Sequence, residues 1–207
     1  YIDDIEIGIQ RQDLADVEVA LIDRRQIDEL RMSSSVGLRA GLGILGAQDE
    51  PSDRPDILPT ARYRIVSADV SLVHPIKSSI FESWRADFHG SWSKKPLYGS
   101  DLVSAGGPFS MRGIASEEAE LGKTGWFVRQ ELGLKVGDDM KPFILLDTGK
   151  VEGGTGLKST IGAGMRAMRH GFTLDAFAAI GLTGKRPLWA GAQSRPVQLG
   201  VSLGWSL

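Results

Sequence analysis

Val197-Gln198-Leu199-Gly200-Val201-Ser202-Leu203-Gly204-Trp205-Ser206-Leu207 is the stretch on which the fold turns. Val197, Leu199, Val201, Leu203, Trp205 and Leu207 occupy every second position. Gln198, Gly200, Ser202, Gly204 and Ser206 fill the places between. Successive side chains of a strand point to opposite faces, so this segment has one wholly apolar face and one small polar face.

The same alternation runs back along the chain. Phe172, Leu174, Ala176, Ala178, Ile180 and Leu182 oppose Thr173, Asp175, Phe177, Ala179 and Gly181. Val36, Leu38, Ala40, Leu42 and Ile44 oppose Ser35, Gly37, Arg39, Gly41 and Gly43. Ile80, Trp84, Ala86, Phe88 and Trp92 oppose Ser83, Arg85, Asp87, His89 and Ser91. Val128, Leu132 and Leu134 oppose Arg129, Glu131 and Gly133, and Ile5, Ile7 and Ile9 oppose Asp4, Glu6 and Gly8. The polar faces mix charges with glycines. A soluble sandwich turns its polar face to bulk water, where glycine weakens the strand and leaves nothing to pack. Facing into a barrel, glycines leave room for a plug or a passing chain. The pattern therefore favours a barrel wall over a soluble sandwich.

Ten strands are predicted, at 2-10, 15-25, 32-46, 61-74, 79-93, 125-136, 141-151, 159-169, 172-183 and 196-207. Gly137–Met140, His170–Gly171 and the turn around Pro75 make short connections, whereas 47-60 and 94-124 are long. Short turns at one end and long loops at the other mark an outer-membrane barrel. Residues 14-31 also fit an amphipathic helix.

Composition sets the outer bounds. The 207 residues suffice for one domain or a large part of one. A net charge of -2 gives no electrostatic case for nucleic acid. The absence of cysteine excludes a disulfide framework and zinc-thiolate sites. No apolar run approaches the ~20 residues of a membrane helix. A membrane-crossing strand needs only ~10, apolar at alternate positions, so a mean hydropathy of -0.10 is compatible with a barrel and with a soluble enzyme alike. The opening YIDDIEIGIQ has neither the basic nor the apolar region of a signal peptide, which leads us to expect a fragment.

Several apparent motifs dissolve on inspection. Gly41-Leu42-Gly43-Ile44-Leu45-Gly46 fits G-x-G-x-x-G, but dinucleotide binding needs a helix to follow, and a polar loop follows here. Gly122-Lys123-Thr124 lacks the first glycine of a P-loop, whose place is taken by Glu117. His74, His89 and His170 have no metal-ligand spacing, and no serine sits in a nucleophile elbow. Nothing reads as a catalytic, cofactor-binding or metal site.

Four other segments carry a resemblance. Tyr1-Ile2-Asp3-Asp4-Ile5-Glu6-Ile7 with Gln10-Arg11 looks like a Y-I-D-D-T-E-I-x-x-Q-R-R signature. Gly107 through Gly113 match a G-G-x-x-S-V-R-G loop, keeping Ser110, Arg112 and Gly113, with Met111 for Val and then Ile114 for an aromatic. Gly125-Trp126-Phe127-Val128-Arg129-Gln130-Glu131-Leu132 match G-W-[YF]-x-R-N-E-L, with Gln130 for Asn. Leu145-Leu146-Asp147-Thr148-Gly149 match F-x-D-x-G, with Leu145 for the aromatic. In this order they resemble the haemolysin-activator family, the outer-membrane transporters of two-partner secretion.

The resemblance implies an all-β fold, an antiparallel transmembrane β-barrel of which this chain supplies the C-terminal ten strands of sixteen. Residues 1-207 form a partial barrel domain with a long lumenal or extracellular loop at 98-124. The plug helix, the POTRA domains and the first strands lie outside it. It implies an outer-membrane translocator that exports an unfolded haemolysin- or adhesin-type exoprotein. A barrel insertase of the same superfamily and a passive porin are the alternatives. The implied partners are that exoprotein, the lipid bilayer and the barrel-assembly machinery, which reads the C-terminal strand. No cofactor and no nucleic acid are implied.

In that reading Ser110, Met111, Arg112, Gly113 and Ile114 form the loop motif, and Leu145, Asp147 and Gly149 form the strand that anchors it. Arg112 is expected to meet Asp147. Parity agrees, because Leu145, Asp147 and Gly149 share the face opposite Ile144, Leu146 and Thr148. Lipid claims the apolar face, so Asp147 points inward, and Arg129 and Glu131 face the lumen.

Overall fold

The computed structural model describes residues 14–44, 50, 53–137, 140–169, 171–183 and 197–205. Among these residues, nine long strands make one antiparallel sheet: β1 (Ala15–Ile27), β2 (Leu30–Leu42), β3 (Arg64–Pro75), β4 (Phe81–Ser93), β7 (Gly125–Leu134), β8 (Met140–Val151), β9 (Lys158–Arg169), β10 (Phe172–Gly181) and β11 (Gln198–Trp205). Each pairs with the next in chain order. Two short strands, β5 (Val103–Ala105) and β6 (Glu120–Gly122), pair with each other inside the loop between β4 and β7. Among the described residues, β1 and β11 are the sheet's edges.

Alternation decides the faces. Val17, Val19 and Leu21 of β1 and Leu199, Val201, Leu203 and Trp205 of β11 are exposed on the outer face, with Leu21 and Leu199 each 76% accessible. Such a band of large apolar side chains is costly in water and suited to hydrocarbon. The inner face carries the partners of opposite parity. One cross-strand row runs Arg24, Ser33, Ser71, Asp87, Arg129, Asp147, Thr160 and Gly181 from β1 to β10.

The helix alternative for 14-31 is overturned. These residues form β1, its turn at Asp28–Glu29 and the start of β2, and β1 pairs along its whole length with β2. The period-two placement of Val17, Val19 and Leu21 prevails over the weaker helical pattern. The second strand is shifted too, ending at Leu42 rather than 46. There the segment before β3 crosses over Gly41, whose N–H donates to the Tyr63 carbonyl at 3.0 Å. A Cβ on Gly41 would collide with the Ala61 carbonyl oxygen. The first glycine of the rejected nucleotide motif therefore serves close backbone approach.

The remaining strands start or end within a few residues of their predicted bounds. The strand predicted at 2-10, the opening Tyr-Ile-Asp-Asp signature, and Ser206 and Leu207 lie outside the described residues.

Inward glycines do two different things. Gly164 and Gly200 have no room for a side chain, because a Cβ there would meet the Phe143 ring and the Ala176 carbonyl oxygen at Gly164, and the Phe177 ring at Gly200. Gly149 is covered by the Met111 sulfur, which would sit 2.9 Å from a Cβ there. Part of the space that the glycines open is thus filled by wall aromatics and by the loop itself.

Candidate functional site

The loop from Lys94 to Thr124 folds against the concave inner face. Its hairpin packs Val103 and Ala105 of β5 with Met111, Ile114 and, from β8, Val151, with Phe127 of β7 at the margin. Three-residue strands carry too few alternations to register as a period, so in the sequence this span reads as one loop.

The loop tip is shaped by its own short contacts. The Gly107 N–H donates to the Ile114 carbonyl at 2.9 Å. Ser110 Oγ donates to the Gly106 carbonyl at 2.6 Å and accepts the Gly106 N–H at 3.2 Å. Gly113 adopts φ +94°, a left-handed conformation that side chains resist, and a Cβ there would press on the Ile180 and Ala179 backbone of β10. The tip therefore rests directly on the sheet, and Arg112 is delivered into it.

Arg112 is 2% exposed and Asp147 is 0% exposed. Asp147 Oδ2 accepts the Arg112 backbone N–H and its Nε–H, both at 2.9 Å, and Oδ1 accepts Nη2–H at 2.7 Å. The fourth donor, Nη1–H, goes to Glu131 Oε1. Glu131 Oε2 accepts Arg166 Nη2–H at 2.9 Å, and Arg166 Nε–H reaches Asp175 Oδ2 at 2.6 Å. A chain of alternating charge thus runs Asp147, Arg112, Glu131, Arg166, Asp175 across β8, the loop, β7, β9 and β10. The Arg112 guanidinium also lies over the Phe177 ring, 5.9 Å from its centre. Forked, charge-assisted bonds of this kind are short and fix orientation as well as position.

The sequence-assigned residues fall as follows. Arg112, Asp147 and Glu131 meet in one buried cluster. Leu145, on the inner face beside Asp147, packs with Phe143 and Ala179. Gly149 lies under Met111. Ser110 and Gly113 hold the tip, while Met111 and Ile114 anchor its apolar side. Arg129 sits inward opposite Asp147 in register, and its Nη1–H donates to the Phe109 carbonyl at 3.4 Å.

Sequence reasoning did not single out Arg166 and Asp175. Both lie at inward parity on strands it placed correctly, so parity together with opposite charge was the available signal.

A second set of contacts holds the hairpin. The Glu120 carboxylate accepts Thr155 Oγ1–H at 2.6 Å and the Lys158 ammonium at 3.2 Å. Burial works to raise the Glu120 carboxyl, but the bonds from Thr155 and then Lys158 outweigh it and hold it below the usual carboxylate range.

A family model, haemolysin secretion/activation protein ShlB/FhaC/HecB, matches residues 1–167. The outer membrane transporter CdiB-2 of Burkholderia pseudomallei (strain 1026b) is 28% identical over 156 residues, 74% of this chain and 26% of that protein. The outer membrane transporter CdiB of Escherichia coli is 29% identical over 92 residues, 44% of this chain and 15% of that protein. The chain thus spans about a quarter or less of the curated relatives it matches. Among solved structures, CdiB from Acinetobacter baumannii superposes with a TM-score of 0.77 at 22% identity, covering 98% of this chain and 35% of that one. CdiB from Escherichia coli gives 0.79 at 21%, covering 97% and 38%. At these identities the likeness to the solved structures speaks for the fold.

Proposed function

This chain belongs to the haemolysin secretion/activation family, and from that premise we propose that it forms part of the wall and the inner loop of an outer-membrane protein translocator. The substrate is an unfolded exoprotein of the haemolysin or adhesin type, which crosses in extended form and folds outside. The inner face is the path, the outer face meets lipid, and the strand ending in Trp205 carries the signal for barrel assembly.

The observation that supports this reading most is the docking of the loop tip. A barrel that only let small solutes through would not need an arginine buried by three bonds to one carboxylate. A loop held by a few definable contacts is an element with two states, docked and released, which a translocator needs to clear its path. Ser110, Arg112 and Gly113 set the docked state, Asp147 and Glu131 receive it, and Met111 and Ile114 pack its apolar side. Lumenal charges such as Asp69, Asp87 and Arg85, interspersed with Ser33, Ser67, Ser71 and Ser91, make the wall of β2, β3 and β4 polar, a surface to which an extended chain would adhere little.

The experiment is co-expression of the full-length protein with a large haemolysin- or adhesin-type secreted protein, taken from a neighbouring gene where one encodes it. The expected result is exoprotein outside intact cells only when the transporter is present. A correctly assembled barrel that leaves the exoprotein in the periplasm would overturn the reading.

A further inference from the structure

The loop meets the wall at a second place, far in sequence from its tip. Gly99–Asp101 forms a single 3₁₀ turn, and Asp101 pairs through Oδ1 with Arg39 Nη2 on the inner face of β2. The Asp101 side chain is 7% exposed, and its other oxygen is buried without a hydrogen-bond partner among the described residues. Arg39 therefore compensates most of that buried charge. The guanidinium is itself fixed, lying 5.6 Å from the centre of the Tyr63 ring. Tyr63 donates its hydroxyl hydrogen to Asp16 Oδ2 on β1 at 2.8 Å and packs with Ile65 and Leu97, with Leu102 of the loop against them.

We propose that Arg39 and Asp101 form a second clasp on the loop, at its shoulder, and that the loop leaves the inner face only when this clasp and the Arg112–Asp147 tip are both open. The two clasps share no residue. One joins the loop to β2, the other to β7 and β8, on different parts of the curved wall. Between them lies the buried apolar patch around Val103, which stays covered while either clasp holds. Arg39 acts as a positioning residue, through its pairing with Asp101 of the loop. The inference rests on the translocator reading for its purpose, but not for its test.

Residues 1–207 contain no cysteine, so once any cysteine elsewhere in the full-length protein is replaced by serine a single introduced thiol reports cleanly. Val103, 5% exposed and two residues past Asp101, is replaced by cysteine in the full-length protein. Labelling by a membrane-impermeant maleimide is then timed in intact cells. Arg39→Gln and Asp101→Asn are each expected to raise the labelling rate about tenfold, the low end for a charge-assisted bond. The two together should do no more than either alone, because they remove one contact. Arg39→Gln with Arg112→Ala should multiply the two separate effects. Arg39→Lys, which keeps the charge, should label near the wild-type rate.

Unchanged labelling in both Arg39→Gln and Asp101→Asn would overturn the proposal. So would labelling of Arg39→Lys as fast as that of Arg39→Gln, which would assign the effect to side-chain shape. Heat-modifiable migration verifies that each variant has assembled. Labelling reports loop position without export, so failure here leaves the export test intact, and failure of export leaves this test readable.

Discussion

Asp147 takes three hydrogen bonds from Arg112, one of them from the arginine's own backbone N–H. The carboxylate therefore fixes the chain at the loop tip as well as the side chain. Breaking a buried pair costs about 3–5 kcal/mol when it leaves a charge uncompensated, and less here, where Glu131 still pairs with Arg112. In Asp147→Ala the docked loop bears that cost and the released loop does not. Trypsin should accordingly cut after Arg112 in the folded Asp147→Ala barrel, while the wild type, with Arg112 buried, resists at that bond. Equal resistance in both would show that the pair does not hold the tip.

Gly113 tests the same docking without a change of charge. Its φ of +94° and the backbone of Ile180 beneath it leave no place for a methyl group. Alanine there should cost about 1–2 kcal/mol from conformation alone, with the clash in addition. Gly113→Ala should expose the Arg112 bond to trypsin while the barrel still assembles. A variant as resistant as wild type would mean that the tip does not rest on β10.

The face assignment is tested by a pair of lysines on one strand. Leu199 points outward and Ser202, opposite Asp175 in register, points inward. A lysine facing lipid at mid-membrane costs about 2–4 kcal/mol and much less in a watery lumen. Leu199→Lys should lower the yield of heat-modifiable barrel, and Ser202→Lys should leave it near normal. Equal yields would reverse or erase the inside-outside assignment.

The strands were legible because a wall between lipid and lumen imposes period two on nearly every residue it contains. Asp147 was legible for the same reason: its parity is that of the lumen, and Arg112 sits in the motif that the resemblance singles out. The short hairpin, the Arg166–Asp175 extension and the Arg39–Asp101 clasp were not. Each depends on which non-neighbouring side chains the loop brings together, and neither alternation nor motif encodes that. Residues 14-31 misled in part because their charges fall at spacings that suit a helix as well as a strand. The pairing partner at Leu30–Leu42 resolves them, and a local reading does not weigh a partner.

Acid should loosen the hairpin through Glu120. Its carboxyl is held below the usual range in the folded loop, so its contribution is present above the unfolded value of about 4.3 and is lost as pH falls through the lower, folded one. Deuterium uptake by residues 103–105 and 120–122, corrected for intrinsic exchange, should rise as the pH drops below about 4. Glu120→Gln should show faster uptake at neutral pH and a smaller change on acidification. An identical pH profile in the two proteins would exclude Glu120 as the source.

Export of the partner exoprotein from intact cells carrying full-length Arg112→Ala, Asp147→Ala or the double variant tests the central claim most directly. Each single variant is predicted to reduce export while inserting normally, and the double variant to be little worse than either, since all three lose the same contact. Wild-type export from either single variant, or losses that add in the double, would contradict a loop positioned by Arg112 and Asp147.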